Sequence, residues 1–402
     1  MSRLCVSWPL IKAGIYILVS FAGAVEKTCS PISQLDVVEN IRLAGAVFDS
    51  VVSPGVVTCA KECLSRLACK SYNFHLDDGT CELSSESSPG ANGTVDVLAM
   101  ERFVFSLSQI WPQGILGACK DHNCPLNSRC IDVGKNASRC VVAYCSDPPA
   151  VEHATVVSPI GQVTPVNQSL QLKCIVGYVP CGNVKCKPDG TWTNMTCKRL
   201  SSCQDVLELN SNYSDGEYWL YPEPLKGGRV KVYCHGMENT PREYLTLSTP
   251  YLMDAPFIAN YYCTGSDVTT DNGSLGKHVF SKFGLKMLTM AVSKGDRRFY
   301  NKTGGNIADV GHVRDCYSRD CGPVGRAVID LRGTGLSVRD SVTWNNYAGW
   351  TPIVNRSFGG QLIVIRCGGY CGGCTVNGSL SLSLMESDAP AENSATIPTC
   401  AP

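Results

Sequence analysis

The stretch "RCGGYCGGCTV" (366–376) decides how the rest of the chain is read. Cys367, Cys371 and Cys374 stand in a glycine-rich run spaced C-x3-C-x2-C. As thiolates, the three could hold an iron–sulfur cluster or contribute to a zinc site. As half-cystines, they would knit a disulfide knot. The redox state of the compartment separates these readings.

The beginning of the chain bears on that compartment. Arg3 and Lys12 precede the uncharged apolar run "AGIYILVSFAGAV" (13–25), and Ala22-Gly23-Ala24 gives the small-x-small pattern of a cleavage site. Residues 1–24 are therefore expected to be a secretory signal peptide. A membrane anchor fits less well, because a spanning helix wants about 20 apolar residues and Lys12 interrupts. No later stretch reads as a transmembrane segment. The 402 residues hold 24 cysteines, a density ordinary for disulfide-stapled secreted modules. Nine Asn-x-Ser/Thr sequons, at Asn92, Asn136, Asn167, Asn194, Asn212, Asn272, Asn301, Asn355 and Asn377, fit passage through the secretory pathway. The C-x3-C-x2-C spacing is that of radical SAM enzymes, but the long α/β barrel such an enzyme needs has no counterpart here. Disulfides are the expected state, with glycines supplying tight turns. The 35 basic and 35 acidic residues balance, which argues against nucleic acid as a partner.

Cysteine spacing then divides the chain. In "VVTCAKECLSRLACKSYNFHLDDGTCELSS" (56–85), Cys59 and Cys63 share a helix face, with Ala60, Leu64 and Leu67 at similar spacing. "SYNFH", "DDGT" and "CELS" read as strand, turn and strand. This segment, 25–107, resembles a PAN/apple module, which implies Cys59–Cys81 and Cys63–Cys69. The cysteines of "CKDHNCPLNSRCIDVGKNASRC" resemble the first half of an EGF module at 119–144, implying Cys119–Cys130 and Cys124–Cys140. Val142 stands where a fifth cysteine would follow, so the module is truncated and expected to be a rigid connector. Residues 145–198 resemble a sushi (complement control) module, with Gly177-Tyr178 after its second cysteine and "KPDGTW" placing Trp192 as the large aromatic of a small core. The resemblance implies Cys145–Cys186 and Cys174–Cys197 and leaves Cys181 extra.

From residue 199 to 376, β-branched residues and Gly turns dominate. "EYWLY" and "RVKVYC" alternate with period two around a Pro/Gly turn, as in a hairpin. "DGEYWLYP", "VKVYCHGM", "REYLTL", "RDCYSRDCGPVGRAVIDLRGTGLSV" and "CGGYCGGC" occur in order and resemble the GON domain that ends some ADAMTS metalloproteases. The tail "ESDAPAENSATIPTCAP", within 377–402, is Ser/Ala/Pro-rich and expected to be disordered. The expected fold class is multidomain, mostly β and disulfide-rich. It comprises a small α+β PAN-like domain, a half-EGF connector, a sushi β module and a large β-rich GON-like domain.

A zinc protease needs H-E-x-x-H on one helix. His75, His122, His153, His235, His278 and His312 include no pair four residues apart. No G-x-S-x-G elbow occurs either. His235 beside Cys234 and His312 near Cys316 read as surface histidines next to bonded cysteines. No catalytic residue, metal ligand or cofactor is assigned. "SKGDRRFYNK" (293–302) gathers Lys294, Arg297, Arg298 and Lys302 as a candidate glycosaminoglycan contact, and Lys294-Gly295-Asp296 resembles an integrin tripeptide. Removing Cys5 with a leader leaves an odd cysteine count, so a disulfide-linked dimer through Cys400 or Cys29 is expected to be open to the chain. The favoured function is a secreted, non-enzymatic adhesion or extracellular-matrix protein binding proteins or glycans. The alternatives are a soluble lectin-like immune recognition protein, and an accessory protein or remnant of an ADAMTS-type zinc metalloprotease whose catalytic domain is absent.

Overall fold

The computed structural model describes residues 3–7, 27–31, 37–88, 96–157, 163–255, 276–317, 322–369 and 371–401. The apolar run of the expected leader and the sequons Asn92 and Asn272 lie outside the described residues, as do Cys263 and Cys321. The chain divides into two compact units, Met1–Lys173 with Gly182–Met195, and Cys174–Cys181 with Thr196–Pro402.

In the first unit, β1 (Arg3–Ser7) and β2 (Lys27–Pro31) pair antiparallel, with Cys5 opposite Cys29. β3 (Val38–Ala44), β4 (Val47–Val52), β5 (Ser71–His75), β6 (Thr80–Ser84) and β7 (Asp96–Leu107) form a five-stranded sheet in the order β3-β7-β5-β6-β4. Helix α1 (Val56–Leu64) buries Val56, Cys59, Ala60, Cys63 and Leu64. It ends at Ser65, so Leu67, read as part of the helical face, is 55% exposed. Beyond it, β8 (Ser128–Gly134) and β9 (Ala137–Val142) make the connector hairpin. Its core is small: Leu64, Leu116, Cys119, Cys124 and Cys130. The short strands β10 (Tyr144–Cys145), β11 (Ala154–Val156), β12 (Thr164–Pro165) and β13 (Leu172–Cys174) pair as β10–β12 and β11–β13. Trp192 is only half-buried, its indole N–H donating to Ser146 O at 2.9 Å. Tyr144, just before this module, packs instead in the core of the five-stranded sheet and α1, edge-on to Phe48 at 5.5 Å.

β14 (Tyr178–Gly182) and β15 (Met195–Arg199) pair with each other. Within the second unit, α2 (Cys203–Leu209) follows, a helix the sequence reading did not expect. Ser202 caps it, its hydroxyl accepting from Asp205 N–H while the Asp205 carboxylate accepts from Ser202 N–H. The strands that follow are β16 (Gly216–Leu220), β17 (Val230–His235), β18 (Arg242–Ala255), β19 (Gly276–Lys286), β20 (Ala291–Val292), β21 (Tyr300–Thr303) and β22 (Val313–Arg314). Next come β23 (Gly325–Asp330), β24 (Leu336–Val338), β25 (Trp344–Ala348), β26 (Ile353–Ser357), β27 (Leu362–Cys367), β28 (Gly373–Val376) and β29 (Leu382–Leu384). The main sheet runs β16-β17-β18-β23-β27-β26, with β19 joined to β18 and carrying β20 and β21. Smaller sheets are β22-β28-β25 and β24-β29. Alternation decides the faces: Val230, Val232 and Cys234 of β17, and Ile363, Ile365 and Cys367 of β27, point into one core. Tyr251 sits there edge-on to Phe280 and Phe283 at 5.8 and 5.7 Å.

The tail corrects an expectation. Residues 377–401 are ordered along the sheet rather than disordered: Trp219 N–H donates to Thr396 O at 3.0 Å, and Thr396 N–H to Glu217 O at 2.9 Å. The Trp219 indole N–H donates to Glu392 O at 2.8 Å. Cys400 bonds Cys181, so it is not available for a dimer bridge. The composition suggested a solvated segment, but the edge strand β16 offers it unpaired backbone groups.

Candidate recognition site

The cysteine-and-glycine run of 366–376 is held by sulfur and by one buried carboxylate. Cys367 bonds Cys374, and Cys371 bonds Cys316. Asp315, fully buried, accepts from four backbone N–H groups: Tyr317 at 3.1 Å, Val324 at 2.7 Å, Gly325 at 2.8 Å and Gly369 at 2.7 Å. A Cβ on Gly368 would lie 1.7 Å from the Asp315 carboxylate, and one on Gly372 would lie 2.5 Å from Ala348 C. At Gly372 the requirement is close approach of backbone, since its φ is not positive. The run is a clasp joining three segments, with its described cysteines consumed in disulfides.

Apart from Cys5 and Cys29, whose side chains lie outside the described residues, the other described cysteines are bonded too. Cys59–Cys81 and Cys63–Cys69 tie α1 to the strands after it. Cys119–Cys130 and Cys124–Cys140 staple the connector. Cys145–Cys186, Cys174–Cys197 and Cys203–Cys234 complete the set. Among the described residues none is free. His122, Cys124 and Cys130 place ligand atoms within 4.8 Å of one another, but both sulfurs are already bridged. His235 and His312 likewise stand near bonded sulfurs, Cys234 and Cys316. The seven described sequons, Asn136, Asn167, Asn194, Asn212, Asn301, Asn355 and Asn377, are all exposed.

The basic stretch does not converge. Lys294 Nζ donates to Gly378 O at 2.8 Å, Lys302 Nζ to Gly305 O at 2.8 Å, and Arg297 pairs with Asp309. Arg298 stays exposed. Asp296 of the integrin-like tripeptide is turned inward, accepting the Tyr244 hydroxyl at 3.0 Å. In the first unit, Tyr144 OH donates to Asp49 Oδ2 at 2.7 Å and accepts from Arg66, which also pairs with Glu62 at 2.7 Å. Beside this network, a cleft of about 410 Å³ has Ile115, Leu116 and the Cys119–Cys130 bridge among its lining, with Lys61 and Arg129 at its rim.

The richest surface is one the sequence reading did not assemble. Glu217 of β16 lies opposite Tyr233 of β17, and Tyr233 opposite Tyr244 of β18. All three therefore project from the outer face of the main sheet, while Tyr218, Val232 and Leu245 enter the core. Phe299, from the loop after β20, packs edge-on against Tyr233 at 5.8 Å, His235 at 5.5 Å and Tyr244 at 4.8 Å. Lys282 Nζ lies 4.2 Å from the Tyr233 ring centre and 3.6 Å from Glu217 Oε1. It donates to Thr246, whose hydroxyl donates to Glu217. Burial lowers the Lys282 ammonium pKa, with Glu217 opposing. Asp215 meets His235 Nδ1 at 2.6 Å and accepts Met237 N–H at 2.8 Å. Burial works to raise its pKa, but those bonds outweigh it and hold the carboxyl below its ordinary value. The second Glu217 oxygen, Oε2, is buried with no hydrogen-bond partner. The period-two pattern of "DGEYW", "VYCH" and "REY" carried the signal that could have grouped these residues.

Family models match in three places: the GON domain at residues 200–386, the PAN domain at 29–104, and the Sushi repeat (SCR repeat) at 145–197. The chain is thus a mosaic of PAN, Sushi and GON domains. It is 32% identical over 198 residues to "A disintegrin and metalloproteinase with thrombospondin motifs 20" of Homo sapiens, covering 44% of this chain and 10% of that protein. The Mus musculus protein of the same description is 30% identical over 209 residues, covering 47% and 10%. "A disintegrin and metalloproteinase with thrombospondin motifs gon-1" of Caenorhabditis elegans is 29% identical over 192 residues, covering 44% and 9%. The chain spans about a tenth of the length of these relatives. The matched domains are of extracellular type and none is a protease domain. No helix among the described residues is long and apolar enough to cross a membrane.

Proposed function

We propose that this mosaic of PAN, Sushi and GON domains is a secreted, glycosylated, non-enzymatic recognition protein of the cell surface or extracellular matrix. Its modules bind proteins or glycans. The observation that carries the reading is the domain set itself: three module types used for extracellular contact, without a protease module beside them. Supporting it, the sequence lacks H-E-x-x-H, so the metalloproteinase in the relatives' names describes parts of those proteins that this chain does not match. The exposed sequons fit secretion.

The test is pull-down with the full-length secreted protein and domain-deleted forms, against cell-surface and matrix extracts and a glycan array. Saturable binding that follows one module supports the proposal. Absence of any binding, or cleavage of a matrix substrate together with stoichiometric zinc, removes it. Selective array binding with no matrix component would favour the lectin-like reading.

A further inference from the structure

We infer that N-linked glycans on Asn301 and Asn355 guard the two open edges of the main sheet in the second unit. They keep a second copy of this chain from adding its own edge strand there. The inference rests on the secretory part of the reading above and gives two of the sequons a task.

An edge strand points a row of N–H and C=O groups outward, a template for pairing with another chain. Four strands of the main sheet have one partner strand each: β16, β20, β21 and β26. The end of the chain covers two of them. Thr396 pairs with Tyr218 of β16. Val292 N–H of β20 donates to Leu380 O at 2.9 Å, and Leu382 N–H donates to Met290 O at 2.8 Å. Among the described residues, no further backbone pairs along β21 or β26.

Those two strands carry sequons. Of the seven described, only Asn301 of β21 and Asn355 of β26 lie within strands, and the others stand in turns and connections. Each sequon is completed inside its own strand, by Thr303 and by Ser357. Asn301 lies opposite Val279 and Asn355 opposite Val364, and both asparagines are exposed. Exposure alone does not require an edge. Arg326 of β23 and Arg366 of β27 are exposed too, on strands with neighbours on both sides.

The strands' own charges do not serve as guards. Charged side chains, Lys above all, commonly keep sheet edges apart. Here Lys302 of β21 donates to Gly305 O at 2.8 Å, and Arg356 of β26 donates to Val338 O and Val342 O. Ile353, two residues before Asn355 and so on the same face of β26, is left 46% exposed. A branched, hydrated glycan on Asn355 would cover both the apolar side chain and the strand beside it. Its attachment joins the asparagine Nδ2 to C1 of a sugar carried on a lipid diphosphate. The lipid diphosphate leaves, and Nδ2 gives up one proton.

The experiment uses full-length protein from a glycosylating host, as parent, Asn355→Gln, the Asn301→Gln/Asn355→Gln double variant and, as a loop control, Asn377→Gln. Peptide mapping should find glycan on Asn301 and Asn355. In light scattering over rising concentration, the parent and Asn377→Gln should hold one protein mass. Asn355→Gln and the double variant should rise about twofold or more, as edge-to-edge pairing of copies requires. Adding Ile353→Lys to Asn355→Gln should bring its mass back. If a variant folds too poorly to be recovered, endoglycosidase trimming of the folded parent gives the same comparison. Unmodified Asn301 or Asn355 beside glycosylated loop sequons, a constant monomer mass for the double variant, or equal association of Asn377→Gln overturns the inference. Absence of glycan from every sequon would remove the secretory reading with it, whereas failure of the pull-down alone would leave the edge guards standing.

Discussion

At Asp315 one buried side chain ties together three segments of the second unit. It serves four backbone N–H groups drawn from 317, 324–325 and 369. Replacing one oxygen by an amide in Asp315→Asn should orphan at least one buried donor and destabilise by about 1–3 kcal/mol. A lower unfolding midpoint at unchanged far-ultraviolet dichroism would show it. Gly368→Ala should be worse, since the added carbon would meet Asp315 at 1.7 Å, and the yield of folded protein should collapse. His278 gives a pH signature. It is fully buried, and burial, followed by Arg314, Lys302 and His312, pushes its pKa down to about 4 from 6.5. The folded state therefore holds the neutral ring, while the unfolded chain takes up a proton below pH 6.5. Stability from this group is complete above that pH and is lost as pH falls towards 4, by up to about 3 kcal/mol. A stability curve flat between pH 6.5 and 4 would contradict this; His278→Gln should flatten it. Sequence marked the cysteines and glycines of 366–376 as structural, but not Asp315. Its role depends on three segments meeting, and no local pattern announces that.

At the scale of elements, strands were more legible than helices. "SYNFH" and "CELS" are β5 and β6, and "EYWLY" and "RVKVYC" lie on β16 and β17. Period two survives translation into structure because one face of each strand is buried. Helix α2 was missed although Ser202 and Asp205 carry the capping-box spacing. At seven residues it is too short for a periodic signal. The tail was misread because composition reports solvation and not the edge strand awaiting a partner. It covers Trp219, which is 2% exposed and has Arg229 stacked at 4.4 Å. Deleting residues 386–402 should expose that indole, red-shift its fluorescence and lower the unfolding midpoint. An unshifted spectrum would show that the tail is dispensable for the edge. Removing the Cys181–Cys400 bridge by double alanine substitution should destabilise the unit. The chain-entropy limit is about 5 kcal/mol, and the measured value should be smaller because other bridges already restrict the loop. Parent protein should show no Cys400-linked dimer without reductant, since Cys400 has its partner within the chain.

For the whole molecule, cysteine spacing was the most informative layer. It separated PAN-like, connector, sushi-like and GON-like segments because small modules lean on covalent staples in place of large cores. What spacing could not supply was the grouping of Glu217, Tyr233 and Tyr244 on the outer face of the main sheet. Side chains on the outer face of a sheet are not constrained by packing, so their grouping emerges only with register. Under the proposed secretory route, glycosidase treatment of the protein should remove mass at several of the seven exposed sequons, and peptide mapping should find modified Asn355 and Asn377. Unmodified peptides throughout would argue against the secretory route. One last consequence follows from the cystine joining residues 181 and 400, which are 219 positions apart. A protease cutting the backbone anywhere inside that span would sever the polypeptide without releasing a fragment. The two pieces would travel on as one body, and shedding would demand thiol exchange as a second event.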